Sequence, residues 1–329
     1  MVYGKDPFDQ PSCMADRPSR PIMSFPPQSL LASLPPPPPG RTGWPWTVET
    51  VPPSAPGTWP RITIVTPSYQ QAAYIEETLR SVLLQNYPAL EYIVIDGGSS
   101  DGSAGMIERY ASRLSYWHSR RDRGQADAIN QGFERATGEI VGWLNSDDYL
   151  LPGALFAVAH AFQQSRAEIV YADALEYFED DHSLQYWQGY WVRPEFLQFG
   201  GVLPSHATFW KRAVHVPLWT DLNCNVDGEL WQRLVPGRRL NYLPQPLAVC
   251  RIHGESKSAA PRWREKWKED DQLIWSRHGR PTRNRLFRAW FNRSQRVFKW
   301  FTRRRNLAAK QAVLAACAWP PPKWRASRL

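Results

Sequence analysis

The sequence has few cysteines. Its four, Cys13, Cys224, Cys250 and Cys317, are scattered over 329 residues, and no two of them form a CxxC pair. This distribution predicts neither a disulfide framework nor a zinc-binding motif. It is typical of a protein that works in a reducing compartment.

Long apolar runs are missing as well. No stretch reaches the roughly 20 residues that cross a bilayer, and the longest, 307–319, is interrupted by Lys310. The N-terminus lacks the basic and then apolar pattern of a secretory signal. We therefore expect a cytoplasmic protein.

Acidic residues are absent after Asp271, whereas 272–329 holds fifteen lysines and arginines. Removing those fifteen charges from the net charge of +9 leaves −6 for the rest of the chain. The basic character is therefore a property of the C-terminal tail, and any attraction to an anionic partner belongs there.

Proline, in contrast, is abundant near the N-terminus, where 1–59 includes the run Pro35–Pro39. This segment shows no apolar periodicity. We therefore predict that 1–59 is a disordered or polyproline-like linker, with a partner-recognition motif as an open alternative.

Alternating strand and helix patterns begin at Arg61. Strands are predicted at 62–65, 92–95, 140–144 and 169–173, and helices at 74–84, 103–112, 126–136, 227–234, 272–305 and 306–319. This order predicts an α/β fold with a Rossmann-like, mostly parallel sheet. Ligands of such sheets bind beyond the carboxyl ends of the strands.

Acidic residues follow two of these strands. Asp96 and Asp101 lie in one loop, and Asp147 and Asp148 lie in another. Each group read alone is compatible with a helix-capping turn. Together in one cleft they repel one another unless a cation shares them, and oxygen ligands favour Mg²⁺ or Mn²⁺.

Four segments resemble family 2 glycosyltransferases. They are 64–69 (IVTPSY), 93–103 (IVIDGGSSDGS), 122–130 (DRGQADAIN) and 143–148 (WLNSDD), the last corresponding to the family's Asp-x-Asp segment. The resemblance is dense over 61–155 and looser to 258. It implies a GT-A fold, a nucleotide-diphosphate sugar donor, a divalent metal (Mg²⁺ or Mn²⁺) and inversion at the anomeric carbon.

The resemblance also implies roles for individual residues. Thr66, Pro67 and Tyr69 would line the nucleoside pocket, and Asp96 would accept a hydrogen bond from the base. Asp127 would lie near the nucleoside or the sugar. These implied donor contacts all come from the loops and helix starts of the first half of the chain.

The metal-binding segment departs from the family pattern at one position. Asn145 stands where the first acid of Asp-x-Asp is expected. The resemblance then leaves Asp147 as the principal metal contact, with Asn145 and Asp148 beside it. An amide oxygen can ligate a cation or hydrogen-bond the ribose, but it brings no charge to the site.

The segment 225–231 (NVDGELW) resembles the family's acidic acceptor-site motif. An acceptor hydroxyl is a poor nucleophile until a base removes its proton as it attacks. Asp227 is the candidate for that base, and Glu229 is the alternative. Either one could instead cap the helix that follows.

The segment 251–258 (RIHGESKS) also matches the family. Arg251 and Lys257 suit a diphosphate through bidentate and point-charge contacts. His253 could serve the same diphosphate or bind the metal. His206, in 204–208 (PSHAT), matches loosely and could face the acceptor.

The tail contains an amphipathic pattern. Seven apolar residues recur at helical spacing, and arginines and lysines occupy a different face: Leu286, Phe287, Trp290, Phe291, Val297, Phe298 and Phe301 against Arg285, Arg288, Arg296, Lys299 and Arg303. The segment 283–305 is typical of a helix on an anionic membrane surface. Docking on the catalytic domain is the alternative. We expect no nucleic acid, since no nucleic-acid motif accompanies the charges.

These features predict a GT-A glycosyltransferase domain over 60–258, with a donor half (60–155) and an acceptor half (156–258), followed by a basic helical tail over 259–329. The expected reaction moves a sugar from a nucleotide-diphosphate donor to a glycan or lipid-linked hydroxyl in cell-surface polysaccharide or glycolipid assembly, at the inner face of the membrane. A sugar nucleotidyltransferase and a non-catalytic scaffold are the alternatives.

Overall fold

The structure is a computed structural model that describes residues 29–53, 57–199, 203–319 and 322–325. The strands are β1 Ile62–Ser68, β2 Leu90–Asp96, β3 Tyr116–Ser119, β4 Ile140–Trp143, β5 Tyr149–Leu150, β6 Ile169–Phe178, β7 Ser183–Trp187, β8 Thr208–Lys211, β9 Leu240–Ile252 and β10 Lys323–Trp324. The helices are α1 Ile75–Leu83, α2 Ser103–Arg109, α3 Gln125–Arg135, α4 Ala154–Gln164, α5 Val226–Leu234, α6 Arg264–His278 and α7 Arg285–Cys317.

The strands form one mixed sheet in the order β10-β7-β6-β8-β4-β1-β2-β3, with β9 paired to β5 and β6. The run β3-β2-β1-β4 is parallel throughout. Beyond it, β8 is antiparallel to both β4 and β6, and β7 is antiparallel to β6. The predicted α/β class is confirmed, and the parallel arrangement holds for the first half of the sheet.

The sheet has a hydrophobic core on each face. Successive residues of a strand point to opposite faces, and β1 follows this rule: Ile62 and Ile64 belong to one core, whereas Val65 belongs to the other. The first core is mostly aliphatic. The second is built around indole rings, of which Trp143 and Trp231 stack at 5.7 Å. Both cores fix the strand ends from which the functional loops emerge.

The C-terminal helices differ from those predicted. The break lies at Gly279, in the left-handed region at φ 85°, and Pro281 follows it. Asn284 then caps α7, because its side chain accepts from the N–H groups of Leu286 and Phe287. No glycine or proline lies between 305 and Cys317, so α7 continues to Cys317 as one helix. No helix within the described ranges is long and apolar enough to span a bilayer.

The N-terminal strap, which we define as residues 29–53, packs against the domain. The prediction of a disordered linker over 1–59 is therefore wrong for this part, while 1–28 and 54–56 lie outside the described residues. Trp44 is 1% exposed, and its indole N–H donates to the Leu150 carbonyl at 2.7 Å. Its backbone N–H donates to Cys317 at the end of α7. A buried indole with these partners outweighs the low apolar content of the segment.

Arg80 of α1 holds the strap in place. The side chain is fully buried and donates to the carbonyl oxygens of Pro35, Pro45 and Trp46 at 2.7–3.0 Å. It also donates to the hydroxyl of Tyr110. Because prolines supply carbonyl acceptors but no N–H donors, a buried arginine complements a proline-rich strand well.

Replacing Arg80 with methionine is expected to destabilise the protein. Three buried carbonyls would lose a charged donor, at ~1–3 kcal/mol for each group left unsatisfied. Chemical denaturation should show the loss in the free energy of unfolding. Arg109→Met is the matched control, because Arg109 is half exposed and 3.9 Å from Glu76, a geometry worth at most ~1 kcal/mol. Equal stability of the two variants would contradict the assignment.

Candidate active site

A cleft of about 1700 Å³ opens at the carboxyl ends of β1, β2 and β4. Small-molecule sites usually occupy about 300–1,000 Å³, so the cleft has room for two ligands side by side. The loops after the three parallel strands form one wall, as the sequence predicts. α5, the loop after β9 and the start of α7 contribute the opposite side.

Asp147 is the accessible carboxylate of the cleft floor. It is half-buried, and its Oδ2 lies 3.2 Å from Nε2 of His253. Nδ1 of His253 accepts a hydrogen bond from the N–H of Glu255, which leaves the ring proton on Nε2, facing Asp147. His253 itself does not line the cleft. In this tautomer His253 positions the Asp147 carboxylate, and its ligation of a metal stays a prediction.

Asp148 is almost fully buried beneath Asp147. Its carboxylate accepts from the N–H of Arg251 at 3.0 Å and from the amide of Asn145 at 3.2 Å. Burial raises the pKa of Asp148 well above its ordinary value, and the neighbouring charge of Asp147 adds to the shift. A cation in the cleft would relieve that repulsion.

Asn145 acts as a bridge. Its amide oxygen accepts from Gln125 at 2.8 Å, and its amide nitrogen donates to Asp148. A carboxylate at this position could not donate, and it would face Asp148 as a like charge. The departure from the family pattern therefore has a local cause, because the side chain at 145 must both accept and donate.

Gln125 and Lys257 extend this network across the cleft. The Lys257 ammonium donates to Gln125 Oε1 at 2.9 Å and to the carbonyl of Asn223. Burial lowers the pKa of Lys257. Gln125, at the start of α3, had no role assigned from its sequence pattern. Gln125 thereby connects the Lys257 ammonium on one wall of the cleft to Asn145 on the cleft floor.

Arg251 is buried and already paired. Its guanidinium contacts Glu77 at 2.6 Å and lies 4.9 Å from the ring centroid of Tyr74. Its Nε donates to the Asp147 carbonyl. These contacts support the cleft floor from below. The predicted diphosphate contact of Arg251 would require part of this arrangement to open.

Asp227 and Glu229 occupy different environments. Asp227, at the start of α5, lines the cleft and is half-buried, and burial raises its pKa. Glu229 is fully buried and pairs with Arg233 and with His278 at 3.0 Å. Glu229 therefore has a structural role, and Asp227 is the carboxylate that faces the cleft.

Only some of the residues that the resemblance implies for donor binding line the cleft. Pro67 and Tyr69 line the cleft. Thr66 does not, because it is fully buried and hydrogen-bonded to the hydroxyl of Tyr92. The carboxylate of Asp127 pairs with the guanidinium of Arg123 at 2.7 Å, and Asp127 does not line the cleft either.

Asp96 is also turned inward. It is fully buried, and its two carboxylate oxygens accept four hydrogen bonds from Gly98, Ser99 and Ser119. In this arrangement Asp96 shapes the loop after β2. Asp101 likewise stabilises this loop, because its carboxylate accepts from the N–H groups of Ala72 and Ser103.

Asp122 is an acidic cleft residue without an assigned role in the sequence-based prediction. Its carboxylate lies so close to Gly97 that a Cβ there would come within 2.9 Å of Oδ2. It is half-buried and lines the cleft, and burial raises its pKa. The signal was available in the sequence, since Asp122 opens the 122–130 segment.

The residues on the floor fit a hard divalent cation. Asp147 presents a carboxylate to the cleft, and its Oδ1 has no hydrogen-bond partner among the described residues. Oxygen donors of this type suit Mg²⁺ or Mn²⁺. The donor set is therefore compatible with the divalent metal that the resemblance implies.

The sequence comparisons agree with this geometry. The model of Glycosyl transferase family 2 matches residues 63–212. This match covers a little under half of the chain. Curated relatives include the glycosyltransferase TuaG of Bacillus subtilis, 38% identical over 92 residues that make up 27% of this chain and 36% of TuaG. GlyG of Streptococcus pneumoniae is 27% identical over 156 residues, which cover 46% of this chain and 51% of GlyG.

The first curated relatives are matched over about a third of their own length. Solved structures show the fold more widely. S. aureus TarS in complex with UDP-GlcNAc has a TM-score of 0.55 at 19% identity and covers 66% of each chain. Mannosyltransferase PcManGT from Pyrobaculum calidifontis, in complex with GDP-Man and Mn²⁺, has a TM-score of 0.50 at 21% identity, covering 84% of this chain and 79% of its own. The chain therefore has a GT-A fold.

The C-terminal tail carries two apolar stripes on α7, where the sequence predicts one. An inner stripe packs on the domain: Phe287 and Phe291 contact Phe199, and Phe298 contacts Tyr242. An outer stripe is exposed and consists of Leu286, Trp290, Val297, Trp300 and Phe301. The side chains of 302–307 and 309, which include Arg303, lie outside the described set. Docking and an exposed apolar face thus occur on the same helix.

Proposed function

We propose that this protein transfers a sugar from a nucleotide-diphosphate sugar to a hydroxyl acceptor, with inversion at the anomeric carbon. One observation carries the proposal. A half-buried carboxylate without a cationic partner in the described residues, Asp227, shares a cleft with the metal-compatible carboxylate of Asp147. The first suits a general base and the second suits a site for the departing diphosphate.

Each residue then has a defined task. Asp227 accepts the proton of the acceptor hydroxyl as its oxygen attacks the anomeric carbon on the face opposite the leaving group. Lys257, on the other wall, stabilises the charge that develops on the diphosphate. A divalent cation held by Asp147 would supply Lewis-acid stabilisation of that same charge.

The donor class is supported by the solved structures of similar fold. TarS was solved in complex with UDP-GlcNAc, and PcManGT with GDP-Man and Mn²⁺. Both ligands are nucleotide-diphosphate sugars, which this cleft could hold beside Pro67, Tyr69 and Asp122. Cell-surface glycan assembly is the setting we propose, and the teichuronic acid biosynthesis in TuaG's name is in keeping with it.

The two alternative functions have less support. A sugar nucleotidyltransferase would carry a glycine- and arginine-rich phosphate loop after the first strand, and 66–74 has none. The argument for a non-catalytic scaffold rested on Asn145. Its hydrogen bonds to Gln125 and Asp148 give that residue a role in a working site.

A thermal-shift screen of nucleoside diphosphates with and without Mn²⁺ tests the donor site. A ligand that binds only the native state stabilises it by ~2.7 kcal/mol when present at 100 times its dissociation constant. We expect UDP or GDP to raise the melting temperature, and Mn²⁺ to increase the shift. Nucleoside monophosphates and free Mn²⁺ are the controls. Identical shifts for all nucleotides, or none, would remove the proposal of a donor site.

We further propose that the outer stripe of α7 contacts an anionic membrane surface. Trp300 and Phe301 are about 70% exposed, and exposed arginines flank the stripe, among them Arg285, Arg293 and Arg296. Apolar burial combined with basic charge is the combination that binds anionic lipid. The inner side of the same helix lines the cleft through Phe291 and Asn292. A lipid-linked acceptor at the membrane would therefore lie close to the cleft.

The double variant Trp300→Ser and Phe301→Ser tests this surface. Each large apolar side chain contributes ~1.5–3 kcal/mol when fully buried, so sedimentation with phosphatidylglycerol vesicles should fall at least tenfold. Tyr69→Ser is the matched control, because Tyr69 is an equally exposed aromatic residue away from α7. Neutral phosphatidylcholine vesicles should bind neither protein strongly. Unchanged sedimentation of the double variant would rule out the stripe as the contact.

A further inference from the structure

Three side chains with different donor atoms meet at the inner end of the cleft. Asp148 follows β4, His206 lies in the turn before β8, and Cys250 belongs to β9. One ligand atom from each lies within 4.8 Å of the other two. All three residues line the cleft, so the cluster is reachable from it.

His206 is the member that requires an explanation. It is 4% exposed, and its Nε2 is buried without a hydrogen-bond partner in the described part of the chain. An unsatisfied buried polar atom costs ~1–3 kcal/mol, and such atoms often mark a missing ligand or water. The ring of Trp187, 5.8 Å away, offers no acceptor.

Neighbouring residues fix two of the three side chains of this cluster. Asp148 accepts from the backbone N–H of Arg251, from the amide of Asn145 and from the thiol of Cys250, and these contacts fix its carboxylate. Cys250 lies in β9, where it pairs with Glu176 of β6. Metal ligands need this kind of outer support to keep their orientation.

We propose that Asp148, His206 and Cys250 form a site for a borderline-soft transition metal of the Zn²⁺ class, separate from the hard-cation position at Asp147. A carboxylate, an imidazole and a thiolate are ligands that Zn²⁺ accepts, whereas Mg²⁺ avoids sulfur. Three protein ligands leave the fourth tetrahedral position open toward the cleft. On binding, the sulfur–metal bond replaces the thiol S–H bond and one proton is released.

The site would be missed in the sequence, because its cysteine has no CxxC partner and its ligands come from three distant segments. It also does not depend on the proposed glycosyl transfer. A cation here would place positive charge beside Asp147 and at the base of the cleft. Sugar transfer and soft-metal binding can therefore be tested apart.

Co²⁺, a spectroscopic substitute for Zn²⁺, is the ion to use with the full-length protein under a non-chelating phosphine reductant. We expect a thiolate-to-cobalt charge-transfer band in the near ultraviolet that Zn²⁺ abolishes by competition. Cys250→Ser should lose the band. Cys224→Ser should keep it, because Cys224 lines the same cleft outside the cluster.

A second variant tests the proposal independently if Cys250→Ser folds poorly. His206→Gln should keep the thiolate but weaken Co²⁺ binding by at least the ~10–100-fold that loss of an outer partner costs. Asp147→Asn should keep the band, even where it removes the Mn²⁺ effect on nucleotide binding. Absence of the band in the unmodified protein, its survival in Cys250→Ser, or its loss in Cys224→Ser would each overturn the proposal.

Discussion

Replacing Asp227 with asparagine is expected to lower the turnover of sugar transfer by roughly 10²–10⁴-fold, the contribution of general base catalysis. Asparagine keeps the shape of the side chain but cannot accept the acceptor proton. Turnover should be measured with the donor and acceptor identified for the unmodified enzyme. The nucleotide-dependent thermal shift should stay unchanged, since Asp227 belongs to the acceptor side.

The fold should tolerate this change. Burial raises the pKa of Asp227 in the folded state, so ionisation of Asp227 costs stability as the pH rises through that pKa. At neutral pH a neutral asparagine should therefore be neutral or slightly stabilising. Asp221→Asn is the matched control, because Asp221 is an exposed carboxylate of the preceding loop. Unchanged turnover in Asp227→Asn would contradict the assignment of Asp227 as the general base.

The raised pKa of Asp227 also predicts the pH dependence. The base must be ionised to accept a proton, so kcat should fall as the pH drops through the pKa of Asp227. That acid limb should lie above the range of an ordinary aspartate. In Asp227→Asn the limb should disappear from the residual rate, whereas loss of a merely structural group would leave it in place.

Replacing Asp147 with asparagine should abolish the Mn²⁺-dependent part of nucleotide binding. The variant removes the charge of the carboxylate on the cleft floor, whose Oδ1 has no hydrogen-bond partner among the described residues. We expect the thermal shift with UDP or GDP to become the same with and without Mn²⁺, and turnover to fall by at least ~10²-fold, as for loss of one transition-state charge contact.

Asn145→Asp is a useful comparison for this site. It adds a charge next to Asp148 and removes the donor that holds it. If Asn145 only bridges, this variant should be less stable in the absence of metal and should gain stability with Mn²⁺, which screens the new charge. If Asp147→Asn still shows the full Mn²⁺ effect, the metal position lies elsewhere in the cleft.

The sequence by itself determined the donor half of this protein. The β-branched strands, the Pro- and Gly-rich loops and the spacing of the four family segments are local signals. They correctly predicted β1, β2, β4, α1 and α3 to within a few residues. They also placed Asp147 in one cleft with the loops that follow β1 and β2, because the carboxyl ends of parallel strands open to the same edge.

Only the tertiary structure decided which polar residues are available. Asp96 and Asp127 match the family motifs, yet their carboxylates are occupied by neighbours from their own loops. From the sequence alone, Asn145 is interpreted as a lost metal ligand. The structure shows that its amide oxygen accepts a hydrogen bond from Gln125. A motif fixes a residue type at a position, whereas rotamer and hydrogen-bond partners depend on neighbours that only the packed chain supplies.

The tertiary structure also decided the two ends of the chain and the metal cluster. The proline-rich strap is ordered by one buried arginine and one indole, partners that no periodicity reveals. The tail is one helix with two apolar stripes, since its breaker lies at Gly279 rather than near 305. Asp148, His206 and Cys250 come together only because β4, β8 and β9 belong to one sheet. Contacts between distant segments carry no local pattern, and that is why the sequence could not show them.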